Sequence, residues 1–148
     1  MAKTQRSRSS AAKNRSRSTR PRTTTRRAAL KLPKAVATAV RAARDKKAQD
    51  VIVLDLRNAG GFTDYFVICT GNNARQITAI ADSVRDTLKS ELEERPALTE
   101  GVDRSEWILL DYFNFVVHVF SRECRSFYGL ERLWGNAERH EFDDEAHS

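Results

Sequence analysis

The sequence predicts an α/β domain with a mixed sheet flanked by helices. Three observations carry this reading. Ile77, Ile80, Ala81, Val84, Leu88 and Leu92 make one apolar stripe at the spacing of an amphipathic helix. Two short runs before it, residues 51–56 and 64–70, are dense in β-branched and aromatic residues and have strand length. After it, residues 107–120 read as two apolar strands about a central turn. Helix, strand, strand, helix and further strands in that order call for a mixed sheet. A chain of 148 residues has room for one such domain and not two.

Each element has a local cause. Val36, Val40 and Ala43 share one helical face, with Arg41, Arg44, Lys46 and Lys47 elsewhere, so a first helix begins near Val36. Residues 51–56 are nearly continuous in apolar side chains, as a strand covered on both faces must be. Residues 58–61 form a turn, residues 64–70 a second strand, and Asn72 or Asn73 caps a helix over 74–94. Pro96 stops that helix, and residues 97–99 form a short strand. Strands over 107–112 and 115–120 pair as a hairpin with Phe113 and Asn114 at the turn. Tyr112 then faces Phe115, Leu110 faces Val117 and Ile108 faces Val119, a wholly apolar face that belongs to the core. The opposite face carries Trp107, Leu109, Asp111, Val116, His118 and Phe120. Such a mixture fits a partner surface and fits a second packed layer equally well. Residues 121–127 and 128–134 read as two short helical turns, and the acidic stretch 137–148 as a frayed end.

Charge divides the chain. Residues 1–34 hold 12 Lys and Arg and no acid, whereas the remaining 114 residues hold 14 basic and all 20 acidic residues. The domain organisation that follows is a basic tail over 1–34, a folded domain over 35–136 and a frayed terminus over 137–148. Residues 1–29 contain no Ile, Leu, Val, Phe, Tyr or Trp and cannot bury enough surface to offset ordering, so the tail is expected to be disordered. Its charge suits phosphate, with Arg15, Arg17, Arg20, Arg22, Arg26 and Arg27 the candidate RNA contacts. A solubilising tail and an organellar transit peptide are the competing readings, the second opposed by the lack of an apolar face before Leu30. No stretch approaches the length of a membrane span, and no apolar segment of a secretory signal occurs. Two cysteines, Cys69 and Cys124, make no disulfide framework and suit a reducing compartment.

Signals for chemistry are weak. Residues 70–73 lie between strand and helix, where anions bind, but one glycine without a following Lys-Ser/Thr is explained by N-capping alone. Residues 58–61 lack dinucleotide-binding spacing. No Asp-x-Asp pair stands on a strand, and Asp55 reads as a turn contact. His118 has no neighbour that makes a dyad with Cys69 or Cys124, and no His/Cys cluster has zinc spacing. The residues argue for a binding module that uses no metal or cofactor.

Several separated blocks resemble one known family. DVIVLDLR from Asp50 to Arg57, TDYFVICTG from Thr63 to Gly71, Arg75-Gln76 and Ile80-Ala81-Asp82 are similar to the ribosomal silencing factor family, also called Iojap. EWILLDY from Glu106 to Tyr112, VVHVF from Val116 to Phe120 and YGLERLW from Tyr128 to Trp134 continue the resemblance, which covers residues 36–136. It implies a nucleotidyltransferase-like fold without the catalytic carboxylates, in agreement with the missing Asp-x-Asp. It further implies a non-enzymatic repressor of translation that binds the large ribosomal subunit through its ribosomal protein number fourteen. The bound factor would sterically block joining of the small subunit, and the free factor would be a homodimer. The rival functions are a large-subunit assembly factor and an active nucleotidyltransferase-like enzyme. The expected location is the bacterial cytoplasm, with an organelle as the alternative.

The matched blocks give the candidate contacts with the ribosomal protein: Trp107, Leu109, Asp111, His118, Phe120 and Tyr128. Tyr112 is expected in the core, as are Leu130, Leu133 and Trp134. Two departures stand out. The family has a small Gly-Asp-like turn where this chain has Phe113-Asn114, and a tight hairpin needs a positive φ that Phe resists. The basic tail is also additional to the family pattern.

Overall fold

A computed structural model describes residues 32–143. Its elements are α1 (Lys34–Asp45), β1 (Gln49–Asp55), β2 (Tyr65–Thr70), α2 (Ala74–Leu92) and β3 (Leu98–Glu100). They continue with β4 (Trp107–Asp111), β5 (Phe115–Phe120), α3 (Arg122–Tyr128), α4 (Leu130–Leu133) and β6 (Glu138–Phe142). One six-stranded sheet runs in the order β3-β4-β5-β2-β1-β6. The β2–β5 pair is parallel and every other pair antiparallel, so the sheet is mixed, as the sequence predicts. The tail arginines Arg15, Arg17, Arg20, Arg22, Arg26 and Arg27 lie outside the described residues, as do residues 144–148. No helix among the described residues is long and apolar enough to cross a membrane.

Pleating sends alternate side chains to two separate cores. On one face, Val51, Val53, Val67, Cys69, Ile108, Leu110, Val117 and Val119 meet α1 and α2. The helices contribute Val36, Ala39, Val40 and Ala43 from α1, and Ile77, Ile80, Val84 and Leu88 from α2. On the other face, Ile52, Leu54, Phe66, Ile68, Val116 and Phe120 meet Cys124, Leu130, Trp134 and Ala137. The α2 helix starts where Asn73 Oδ1 accepts the Gln76 N–H at 2.8 Å and ends with Glu93 in the left-handed region. The β4–β5 register pairs Ile108 with Val119 and Leu110 with Val117, as the alternation requires.

The turn between β4 and β5 accepts Phe113 at φ +78°. Asn114 N–H donates to Tyr112 O at 2.9 Å across it, a γ-turn, and Tyr112 N–H donates to Phe115 O at 2.8 Å. Neighbours hold this unfavourable backbone in place. Asp111 Oδ1 accepts the Phe113 N–H at 2.8 Å, Thr63 Oγ1 donates to Phe113 O at 2.9 Å, and Asp64 N–H donates to Asn114 O at 3.0 Å.

Both domain boundaries move outward. Leu32 is buried against the α1 core, inside the stretch assigned to the tail. The C-terminal stretch does not fray from residue 137: β6 pairs with β1 through Val51↔Phe142, Val53↔His140 and Asp55↔Glu138. Without β6, the buried strand β1 would be an open edge. Four of the five β6 residues are charged or polar, as an outer strand needs, and that composition reads as a loose end. Phe142 alone is buried and anchors the strand. Phe142→Ala is therefore expected to lower unfolding free energy by about 3 kcal/mol, read from urea denaturation. A change below about 0.5 kcal/mol would mean that the strand is not docked.

Candidate docking face of the sheet

The short helices α3 and α4 cover only part of the second sheet face. Over β1, β2 and β5, that face is closed by Cys124, Leu130, Trp134 and Ala137. At β4 it stays open, and Trp107, Leu109 and Asp111 are each half-buried. One half of this face is thus a packed layer and the other half is exposed surface.

Trp107 is the centre of an aromatic cluster. Its ring lies 4.8 Å from Phe120 and 4.6 Å from Tyr128, centroid to centroid. Its Nε1–H donates to His118 Nδ1 at 3.1 Å, which fixes the indole in one orientation. Strand pairing places the partners, since Trp107 stands opposite Phe120 and Leu109 opposite His118. Gly101 supports the same residue from behind. At φ +84°, it passes so close that an added Cβ would meet the Trp107 carbonyl oxygen at 1.9 Å.

His118 and Phe120, both expected as contacts, are buried. His118 is 3% exposed and Phe120 1%, so neither reaches the surface. They form the floor on which Trp107 rests. Their alternation with Val117 and Val119 puts them on the same face as Trp107, but α3 and the Trp107 ring cover that face here. Burial pushes the His118 imidazole down to about 3, so it is neutral at ordinary pH. With Nδ1 accepting from Trp107, the ring proton sits on Nε2, which has no hydrogen-bond partner in the structure. The Phe66 ring stands 4.5 Å away at 73° to the imidazole.

The candidates that reach the surface are Trp107, Leu109, Asp111 and Tyr128. Asp111 also braces the hairpin turn through the Phe113 N–H. Phe127, perpendicular to Tyr128 at 5.0 Å, and Leu133 extend the exposed apolar surface. Leu133, expected in the core, is 71% exposed. The α4 helix is a single turn in which Leu130 and Trp134 face the sheet, leaving Leu133 pointing away. That spacing was readable; the helix boundary that sets its phase was not. Tyr112 is buried as expected, and burial pushes its hydroxyl up to about 12.

The remaining chemical candidates have structural employment. The Asp55 carboxylate accepts from Arg57 N, Nε and Nη2 at 3.1, 3.0 and 2.8 Å. Those bonds hold it below the usual carboxylate range, and it serves as a turn contact. Burial pushes the Cys69 thiol up to about 12, so it is not a nucleophile. Gly71 leaves space for Ile77, whose Cγ1 would lie 2.7 Å from an added Cβ, so the loop before α2 is shaped by packing. Among the described residues no group of three His, Cys, Asp or Glu could hold a metal ion.

Two outcomes follow. In the unfolded chain a histidine takes a proton near pH 6.5, while folded His118 resists it down to about pH 3. Between these values the unfolded state binds more protons, so this group erodes stability as pH falls from about 6.5 toward 3, at about 1 kcal/mol per pH unit. Above pH 6.5 it contributes no dependence. His118→Gln, which keeps an acceptor for Trp107, should flatten that part of the stability-versus-pH curve; an unaltered curve would refute the assignment. Phe113→Gly removes the positive-φ penalty and should stabilise by about 1 kcal/mol in equilibrium unfolding. Destabilisation would show that the exposed ring packs in solution.

Comparisons with known proteins bear on the family and the fold. The family model described as "Ribosomal silencing factor during starvation" matches residues 29–148. The ribosomal silencing factor RsfS of Bacillus subtilis (strain 168) is 41% identical over 99 residues, covering 67% of this chain and 83% of that protein. The Mus musculus protein named "Mitochondrial assembly of ribosomal large subunit protein 1" is 31% identical over 93 residues, covering 62% of this chain and 41% of that protein. A crystal structure of a Chromobacterium violaceum protein is similar at a TM-score of 0.66 and 34% identity, covering 69% of this chain and 84% of that one. Family match, identity and shared fold coincide on the same sheet and helices, and the chain belongs to the ribosomal silencing factor family.

Proposed function

We propose that the chain docks on the large ribosomal subunit through the open half of its sheet and blocks joining of the small subunit by occupying space. The docking residues are Trp107, Leu109, Asp111 and Tyr128, and the partner is the ribosomal protein numbered fourteen in the large-subunit series. One observation carries the reading: in a silencing-factor fold, Trp107 is half-exposed yet its indole N–H is tied to His118 Nδ1. A large aromatic ring with its orientation already fixed loses little entropy on binding, which is the character of an interface hot spot. The action needs no chemical step, so we assign no enzymatic activity. We place the protein in the bacterial cytoplasm, as a homodimer when free, with the tail arginines against ribosomal RNA.

A second reading has its own support. The mouse relative is named for assembly of the large ribosomal subunit. An assembly factor would use the same docking face but leave before translation.

Light scattering of subunit joining tests both. Large subunits preincubated with the protein should fail to join small subunits in a dose-dependent way. Trp107→Ala should weaken binding by about 2 kcal/mol, roughly 30-fold, and restore joining at the same dose. Normal joining despite tight binding of the wild type would sink the steric reading and favour assembly. Wild-type binding by the Ala variant would remove Trp107 from the contact.

A further inference from the structure

Beside the docking face, the folded domain carries a basic corner assembled from three segments. Lys46 and Lys47 follow the end of α1, Arg75 lies in the first turn of α2, and Arg122 opens α3. All four are exposed. Polar side chains tie these segments together. Gln76 Nε2 donates to Lys46 O and to Lys47 O, each at 3.1 Å, while its Oε1 accepts the Asn72 N–H at 2.6 Å. Arg122 Nη2 donates to Asn72 Oδ1 at 3.3 Å and to Gln49 Oε1. Asp45, Asp50 and Glu123 are the acids of the same segments, and Asp50 Oδ2 lies 3.6 Å from Arg122 Nη1. No ion pair to Lys46, Lys47 or Arg75 occurs among the described residues.

This charge is placed against the interests of the fold. The α2 first turn holds Arg75 and no acid, although a helix start favours anions. Lys47 occupies φ +65°, a conformation better suited to Gly or Asn. Beyond residue 34 the chain carries 14 basic against 20 acidic residues, so a basic corner departs from its surroundings. It also adjoins the docking face. Phe120, which pairs with Trp107, lies two residues before Arg122, and Thr70, beside Phe120 in the sheet, precedes the loop that Arg122 touches.

We propose that Lys46, Lys47, Arg75 and Arg122 form a contact for the RNA phosphate backbone, used when the neighbouring sheet face docks on the large subunit. The proposal rests on that docking reading. Long exposed cations around polar Asn72 and Gln76, with no exposed aromatic among them, suit sequence-independent phosphate contact. A protein partner would instead call for an apolar centre.

The test is the salt dependence of affinity in the full chain. Lys46→Gln, Lys47→Asn and Arg75→Gln are combined; Asn tolerates the positive φ at 47, and Arg122 is kept because it ties the loop. Binding to large subunits is measured between about 50 and 200 mM KCl, and binding to protein-free large-subunit RNA by filter retention over the same range. Each lost phosphate contact lowers the slope of log affinity against log salt by just under one. The variant should therefore have a slope shallower by about 2 to 3, and the wild type should lose roughly ten- to fortyfold more affinity than the variant across that range. Trp107→Ala should weaken subunit binding with the slope unchanged. Identical slopes for wild type and triple variant would overturn the RNA contact, and a uniform loss at every salt would assign the corner to a protein partner instead. Failure of the wild type to bind subunits would defeat the docking reading, and the RNA slopes would then decide the corner alone.

Discussion

Everything in this domain follows from the need to cover two faces of one sheet with too few helices. The α1 and α2 helices together close the first face. The second is left to α3 and α4, of 7 and 4 residues, which cannot span six strands. Each further strand adds about 5 Å across the sheet that needs its own cover, and the short segment runs out before β4. The exposed half at Trp107 is therefore a consequence of element lengths. A surface created this way is flat, apolar and backed by a rigid sheet, which suits a protein partner better than a small molecule.

The Trp107–His118 pair shows how that surface is kept from collapsing into the core. A tryptophan on an open apolar face can bury itself by rotating inward or be left loose. Here a neutral imidazole beneath it offers one acceptor, Nδ1, and the indole N–H takes it. The cost is a second imidazole nitrogen with no partner in an apolar setting. Phe120 and Phe66 pack on either side, so the histidine cannot relax without disturbing the sheet. The arrangement trades some stability for a fixed ring orientation, a form of preorganisation.

What could be read from the sequence divides along the same physical lines. The β4–β5 register was legible because one face is wholly apolar, and slipping by one residue would expose Ile108, Leu110, Val117 and Val119 together. The α2 helix was legible from its stripe and from Asn73. The β6 strand was not, since Glu138, Arg139, His140 and Glu141 carry no apolar alternation and only Phe142 marks its inner face. The alternation put Trp107, His118 and Phe120 on one face of the hairpin, as the structure has them, but exposure within that face was not legible. His118 and Phe120 share the period of Trp107, and period says nothing about which neighbours a later helix will cover. Only packing separates the buried side chains of this face from the exposed ones.

The same fold explains why the carboxylates can be spared for structure. A strand-end aspartate in a catalytic site must keep its oxygens free for a cation. Asp55 instead gives them to Arg57, whose three donors occupy the carboxylate, and Asp111 gives Oδ1 to the Phe113 amide. Both bonds secure turns at the end of the sheet away from Trp107, where Phe113 is held at a positive φ. Rigid turns there fix the strands, and fixed strands hold the aromatic floor level under Trp107. That mechanical role leaves the exposed surface fixed in advance, and a surface that does not have to reorganise loses less free energy on binding a partner.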